Sequence, residues 1–197
     1  KYPVSEIPVD LLQGAKAVIR KNDVVFEISR IDKAVERVTI AITILNTNGV
    51  SNSLFMEGYD KFSSIRKITT TVYDRNGIEI KNKLNTSIKD VAAVDGYTLY
   101  EDNRVKIYDP RYTTTPFTVE YSFERVYDGL LNYPAWIIYP DFNISIQEST
   151  FTIIVPEGYN FRYFENNTSY HSESTTENGN RKTRWHASNL PALKKEL

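Results

Sequence analysis

The sequence predicts an all-β fold, a two-layer antiparallel β-sandwich of immunoglobulin-like or related type, and three observations predict it. Apolar residues alternate with a period of two over several stretches, the pattern of a half-buried strand. Asn-Gly dipeptides, strong turn signals, punctuate those stretches at Asn76-Gly77 and Asn178-Gly179. No window of helical length repeats apolar residues at the 3.6-residue spacing; only residues 10–13 and a short piece near residues 89–93 have a helical-turn character. Eight or more short strands with such turns suit two packed sheets, and a closed barrel is the alternative.

The strands follow in order. Residues 17–28 open the series, and residues 37–45 set Val38, Ile40, Ile42 and Ile44 on one face, with β-branched residues that suit the pleat. Residues 65–73 and 78–83 flank Asn76-Gly77, which predicts a type I′ hairpin turn with its positive φ angles. Residues 104–108 make a short strand. Residues 117–124 alternate without a break, Phe117, Val119, Tyr121 and Phe123 facing inward. Residues 149–155 and 181–186 complete the set, with a polar stretch at residues 165–180 that reads as an exposed, mobile excursion. A module over residues 1–188 is expected, with residues 189–197 beginning a linker to a further domain.

Composition narrows the function. The 197 residues carry 24 lysines and arginines against 25 acidic residues, a net charge of -1 that supplies no attraction for nucleic acid or an anionic membrane surface. No run approaches the roughly 18 apolar residues of a membrane-spanning helix, so no membrane insertion is expected. Cysteine is absent, which removes disulfides, thiolate ligands and a thiol nucleophile. The sequence opens at Lys1 with no apolar leader, so any export signal is expected to have been removed or to lie upstream of it.

Motifs of catalysis are missing. The two histidines, His171 and His186, have no partner at a metal-ligand spacing, and there is no nucleophile elbow, phosphate loop or zinc helix. The fragment Asp74-Arg75-Asn76-Gly77 resembles part of a calcium loop but lacks the distal carboxylate, and the hairpin turn explains it. Asp95, Glu101 and Asp102 lie in a loop of ordinary surface character. No catalytic, cofactor or metal residue is therefore assigned. The sequons at Asn85, Asn143, Asn166 and Asn167 have meaning only in a glycosylating secretory pathway.

One loop has functional potential. Residues 127–142 hold Tyr127, Tyr133, Trp136, Tyr139 and Phe142 beside Pro134 and Pro140. Aromatic side chains give large contact area at low entropy cost. Tyr133, Trp136, Tyr139 and Phe142 are the candidate contact surface, for a neighbouring domain or for stacking on a carbohydrate; the same rings would equally serve the core.

The order of several features resembles a known family. Ala17-Val18 opens the first strand, Ile44-Leu45 precedes Asn48-Gly49, and Tyr59 precedes Ile65 and the Asn76-Gly77 hairpin. Asp102, Glu120-Tyr121, Val155-Pro156, Trp185, Asn189, Pro191-Ala192 and Glu196 follow, with a departure at Thr113-Thr114-Thr115. Together they resemble the bacterial domain of unknown function found N-terminal to transglutaminase-like, papain-like domains in exported proteins. The resemblance implies a non-catalytic accessory module, periplasmic, outer-membrane-associated or extracellular. Its partner would be the downstream transglutaminase-like domain, with a protein or glycan substrate shared between them.

Overall fold

The computed structural model describes residues 1–84, 88–93, 103–130, 133–166 and 169–194. Its strands are β1 (Ala17–Arg30), β2 (Lys33–Ile44), β3 (Phe55–Tyr59), β4 (Ser63–Tyr73), β5 (Glu79–Leu84), β6 (Lys89–Ala92), β7 (Arg104–Tyr108), β8 (Phe117–Asp128), β9 (Ile144–Pro156), β10 (Glu173–Glu177) and β11 (Asn180–Leu190). One helical turn, α1 (Val9–Leu12), and 3-10 turns at Val4–Glu6 and Thr47–Ser53 are the helical elements among the described residues. The chain is all-β, as its alternation predicts. A large sheet runs β10-β11-β9-β1-β2-β8-β4-β5, and a small one runs β3-β7-β6.

Four local expectations change. The sheet is not purely antiparallel, because β1 and β9 pair in parallel. The reason is the connection from β8 to β9, which runs the length of the sheet. It starts where the Gly129 N–H donates to Asp32 O and ends where Asn143 O accepts the Lys16 N–H, so β9 begins beside the start of β1. Residues 89–92 are strand β6 rather than a helical turn, since their backbone pairs with β7. Of residues 165–180, the part 173–177 is an exposed strand hydrogen-bonded to β11. At Asn76-Gly77 only Gly77 has a positive φ, +78°, and Asp74 Oδ1 accepts the N–H groups of Asn76 and Ile78, so this is not the expected type I′ turn. That conformation occurs instead at Asn178-Gly179, where both φ angles are positive.

Bulges decide which residues reach the core. In β1 one extra residue, Arg20, separates the pairs Ile19↔Ile42 and Lys21↔Ala41. Ala17 and Ile19 before it, and Val24, Phe26 and Ile28 after it, therefore share a face although their parity differs. Lys67 does the same in β4, where a bulge between Arg66 and Thr69 keeps Ile65 and Ile68 on one side. The unbroken even positions of β2 and odd positions of β8 lie on that same face. It carries two apolar clusters, one around Ile44, Phe117, Val119 and Phe123, the other around Phe26, Phe151, Val155 and Trp185.

Different elements cover the two clusters. The small sheet lays Phe55 and Tyr108 onto the first, with Tyr121 OH donating to Ser53 O in the adjoining 3-10 turn. The segments on either side of β9 lay Trp136 and then Tyr159 and Phe161 onto the second. On the opposite face of the sheet, the N-terminal segment packs Ile7 and Leu11 against Val18. It is also tied down by polar contacts: Arg20 Nη1 donates to the carbonyls of Tyr2 and Pro3, and Ser145 Oγ donates to Leu11 O.

Candidate functional site

The four aromatic residues of the predicted contact surface do not form one platform. Trp136 is half-buried on the module's second cluster, with its indole N–H donating to Ser149 Oγ at 2.9 Å. Tyr133 is 50% exposed, yet its ring meets Phe26 edge-on and its hydroxyl shares a hydrogen bond with Tyr159. That bond, ahead of burial, pushes the Tyr133 phenol up to about 12. Tyr139 packs against the first cluster and donates its hydroxyl to Pro191 O at 3.0 Å. Phe142 is turned outward, 46% exposed.

Four exposed apolar residues belong to this loop and to the two segments tied to its end. Ile137 and Phe142 are exposed, and so are Leu193 and Leu12. The Asn143 N–H donates to Leu193 O at 2.8 Å, and Asn143 Nδ2 donates to Gly14 O at 3.0 Å, which draws the loop end, the C-terminal segment and the residues after α1 together. Ile137 and Leu193 lie outside the aromatic set that the sequence marks. An exposed aliphatic residue leaves no mark in the sequence until its neighbours are known.

A second candidate lies between the sheets. Continuing the inward parity of β8 beyond Phe123 places Arg125 and then Tyr127 on the core face, and the same parity on β2 places Glu36 there; Glu36 and Arg125 are register partners. Arg125 Nη1 donates to Glu36 Oε2 at 2.7 Å, and Tyr127 OH donates to the same oxygen at 2.9 Å. From the small sheet Glu57 accepts from Arg125 Nη2 at 2.6 Å. Burial would by itself lower the Arg125 guanidinium, but Glu36, Tyr127 and Glu57 together hold it above its ordinary value. Burial raises Glu57 despite the Arg125 charge beside it, and pushes the Tyr127 phenol up to about 12.

Beside this network opens a cavity of about 410 Å³, lined in part by Tyr59, Asp60, Phe62, Arg104, Arg125 and Tyr127. A surface network borders it. Asp90 accepts from Tyr59 OH, Arg104 Nε and Lys106 Nζ at 2.7 to 2.8 Å, which holds its carboxyl down to about 2.

His171, Glu165 and Asn143 are engaged in hydrogen bonds. His171 Nδ1 is 3.2 Å from Glu165 Oε2, while the Trp185 indole donates to Glu165 Oε1 at 2.7 Å. These bonds, that from Trp185 first, hold the Glu165 carboxyl below its ordinary range. Among the described residues no group of three His, Cys, Asp or Glu is placed to hold a metal ion. No described helix is long and apolar enough to cross a membrane. Asn143 spends its amide on Gly14 O, and Ser145, which completes its sequon, is fully buried. Asp95, Glu101, Asp102, Asn85 and Asn167 lie outside the described residues.

Comparison with known proteins gives the family. The model of DUF3857, a domain of unknown function, matches residues 32–194. The chain belongs to the DUF3857 family. No curated protein matches it. Among solved structures, this DUF3857 chain aligns with a provisionally assigned protease from Parabacteroides distasonis at a TM-score of 0.76 and 17% identity, over 92% of this chain and 37% of that one. That likeness shows the fold alone. Weaker alignments join it to an M1 zinc metallopeptidase of Deinococcus radiodurans (TM-score 0.39, 11% identity, 87% of this chain and 39% of that one) and to leukotriene A4 hydrolase of Saccharomyces cerevisiae (0.41, 11%, 98% and 30%). The chain thus spans well under half the length of the proteins it aligns with.

Proposed function

We propose that this DUF3857 chain is a non-catalytic accessory module of a longer exported bacterial protein, a two-layer scaffold that positions a transglutaminase-like or cysteine-protease-like domain and contributes to binding its protein or glycan substrate. One observation carries the reading. The loop end bearing exposed Ile137 and Phe142 is hydrogen-bonded to the C-terminal segment through Tyr139 and Asn143, beside exposed Leu193. A domain tethered at that segment meets this apolar surface at high effective concentration, so a weak contact suffices to hold an orientation. With no cysteine in the chain, a thiol nucleophile would belong to that other domain. The layering supports a scaffold role, because Phe55 and Tyr108 of the small sheet share one core with Phe117 and Val119 of the large one.

The test is association of the isolated module with the separately expressed neighbouring domain of its parent protein. Ile137→Ser with Phe142→Ser is expected to weaken that association at least tenfold while leaving the unfolding midpoint unchanged, since both side chains are solvent-exposed. Association that survives both substitutions in a folded module would rule the docking surface out.

A further inference from the structure

We propose that the cavity between the small sheet and the end of β8 binds an uncharged saccharide of one or two rings. The cavity, about 410 Å³, falls toward the lower end of the roughly 300 to 1,000 Å³ seen for small-molecule sites. Its wall combines three aromatic side chains, Tyr59, Phe62 and Tyr127, with two guanidinium groups, Arg104 and Arg125. Rings supply the flat apolar surface against which the C–H face of a sugar packs.

The charges of the wall select against an ionic ligand. Arg125 is paired with Glu36 and Glu57, while Arg104 and Lys106 share Asp90. Asp60 adds a carboxylate whose Oδ1 accepts from the Phe62 N–H and the Ser63 hydroxyl. Three cations thus stand against four carboxylates, Glu36, Glu57, Asp90 and Asp60, so an anion entering the cavity meets no net positive charge. A sugar hydroxyl is donor and acceptor at once. The Arg104–Asp90 pair, with Tyr59 OH bonded to both, offers donors and acceptors side by side, which suits neighbouring hydroxyls.

The wall is also built in advance. Phe62 packs on Gly129, where a Cβ would meet its ring at 3.2 Å, and Phe62 O accepts the Asp128 N–H at 2.7 Å. β3 is the outer strand of the small sheet, paired with β7 at Gly58↔Val105 and Tyr59↔Arg104, so an extended peptide added to its other edge is the competing occupant that the experiment separates from a sugar. This site is separate from the surface at Ile137 and Phe142, so it stands or falls independently of the docking role.

The experiment is saturation-transfer NMR on the whole 197-residue chain with maltose, cellobiose, lactose and N,N′-diacetylchitobiose at millimolar concentration. Transfer to at least one of the four is expected, weakened at least tenfold by Arg104→Ala and by Phe62→Ala, and unchanged by Phe142→Ser. Should Phe62→Ala lower the unfolding midpoint, Phe62→Leu keeps apolar bulk on Gly129 but removes the ring, and the same weakening is expected. Absence of transfer from all four sugars overturns the proposal. So does binding that is lost with Phe142→Ser but kept with Arg104→Ala, or binding of an Ala-Gly-Ala peptide in the absence of any sugar binding.

Discussion

Arg125 stands between Phe123 and Tyr127 on the inward face of β8, whose other inward residues are apolar or aromatic, and its partners come from both sheets. Its Nε is buried without a hydrogen-bond partner among the described residues, so the guanidinium is not fully compensated. Removing only the cation strands two carboxylates. Arg125→Met is therefore expected to lose about 3 to 5 kcal/mol in urea unfolding, while Arg125→Met combined with Glu36→Leu and Glu57→Gln recovers most of that loss. Two carboxylates of the small sheet respond to pH in opposite senses: Glu57, which reaches Arg125 of the large sheet, and Asp90, which ties β6 to β3 and β7. Glu57, raised by burial, binds its proton more tightly folded than unfolded, so its contribution falls as pH rises through and above the ordinary carboxylate range. Asp90, held down to about 2, contributes fully above its ordinary value of 3.8 and loses that contribution as pH falls through about 2. Melting curves across pH check this. The midpoint of Glu57→Gln should gain on the parent as pH rises from 4 to 7. The deficit of Asp90→Asn should be complete at pH 7 and vanish near pH 2. This buried network was legible in principle, because the alternation of residues 117–123 points Arg125 inward when carried one step further.

At the scale of the element, Lys67 and Trp136 show what a strand and a loop each hide from sequence reading. Lys67 has a φ of +53°, a left-handed conformation that costs an L-residue about 1 to 2 kcal/mol, and among the described residues its exposed side chain makes one ion pair, with Glu124. Lys67→Gly is expected to change stability by less than about 1 kcal/mol, toward stabilisation, whereas deleting Lys67 turns Ile65 out of the core and should lose more than about 2 kcal/mol. Equilibrium unfolding of the two variants separates conformation from register. Trp136 leans on the second cluster, so Trp136→Ala should lower stability by about 2 to 3 kcal/mol, below the full cavity loss of a buried Trp because the ring is only half-buried. Phe142→Ala should stay within about 0.5 kcal/mol. The strands with unbroken alternation were readable because packing on one face leaves a period of two. The bulges at Arg20 and Lys67 were not, since each breaks that period while preserving the face. Nor were β3, β6 and β10, whose few residues become strands only through the partners they meet.

For the whole molecule, the deciding feature is the position of β1 in the middle of the large sheet, antiparallel to β2 on one side and parallel to β9 on the other. Neither the alternation nor the turn signals could show this, because a parallel pair is made by a long connection rather than by a local turn. The family match begins at residue 32, after β1 has ended. The folding unit begins earlier. Ala17, Val18, Ile19, Phe26 and Ile28 are all at most 2% exposed. Each larger one contributes about 1.5 to 3 kcal/mol by burial, so their sum rivals the 5 to 15 kcal/mol that holds a typical domain together. A chain of residues 32–194 also leaves facing edges of β2 and β9 without partners, an invitation to aggregate. It is expected to show no cooperative thermal transition. A chain beginning at residue 17 keeps β1 but uncovers Val18 and leaves Arg20 without the carbonyls of Tyr2 and Pro3, and it should remain folded with a lower midpoint. Circular dichroism melts of the two truncations and the 197-residue chain decide it. A cooperative transition in the 32–194 chain at the parent's midpoint would mean that β1 is an attachment to a core that forms without it.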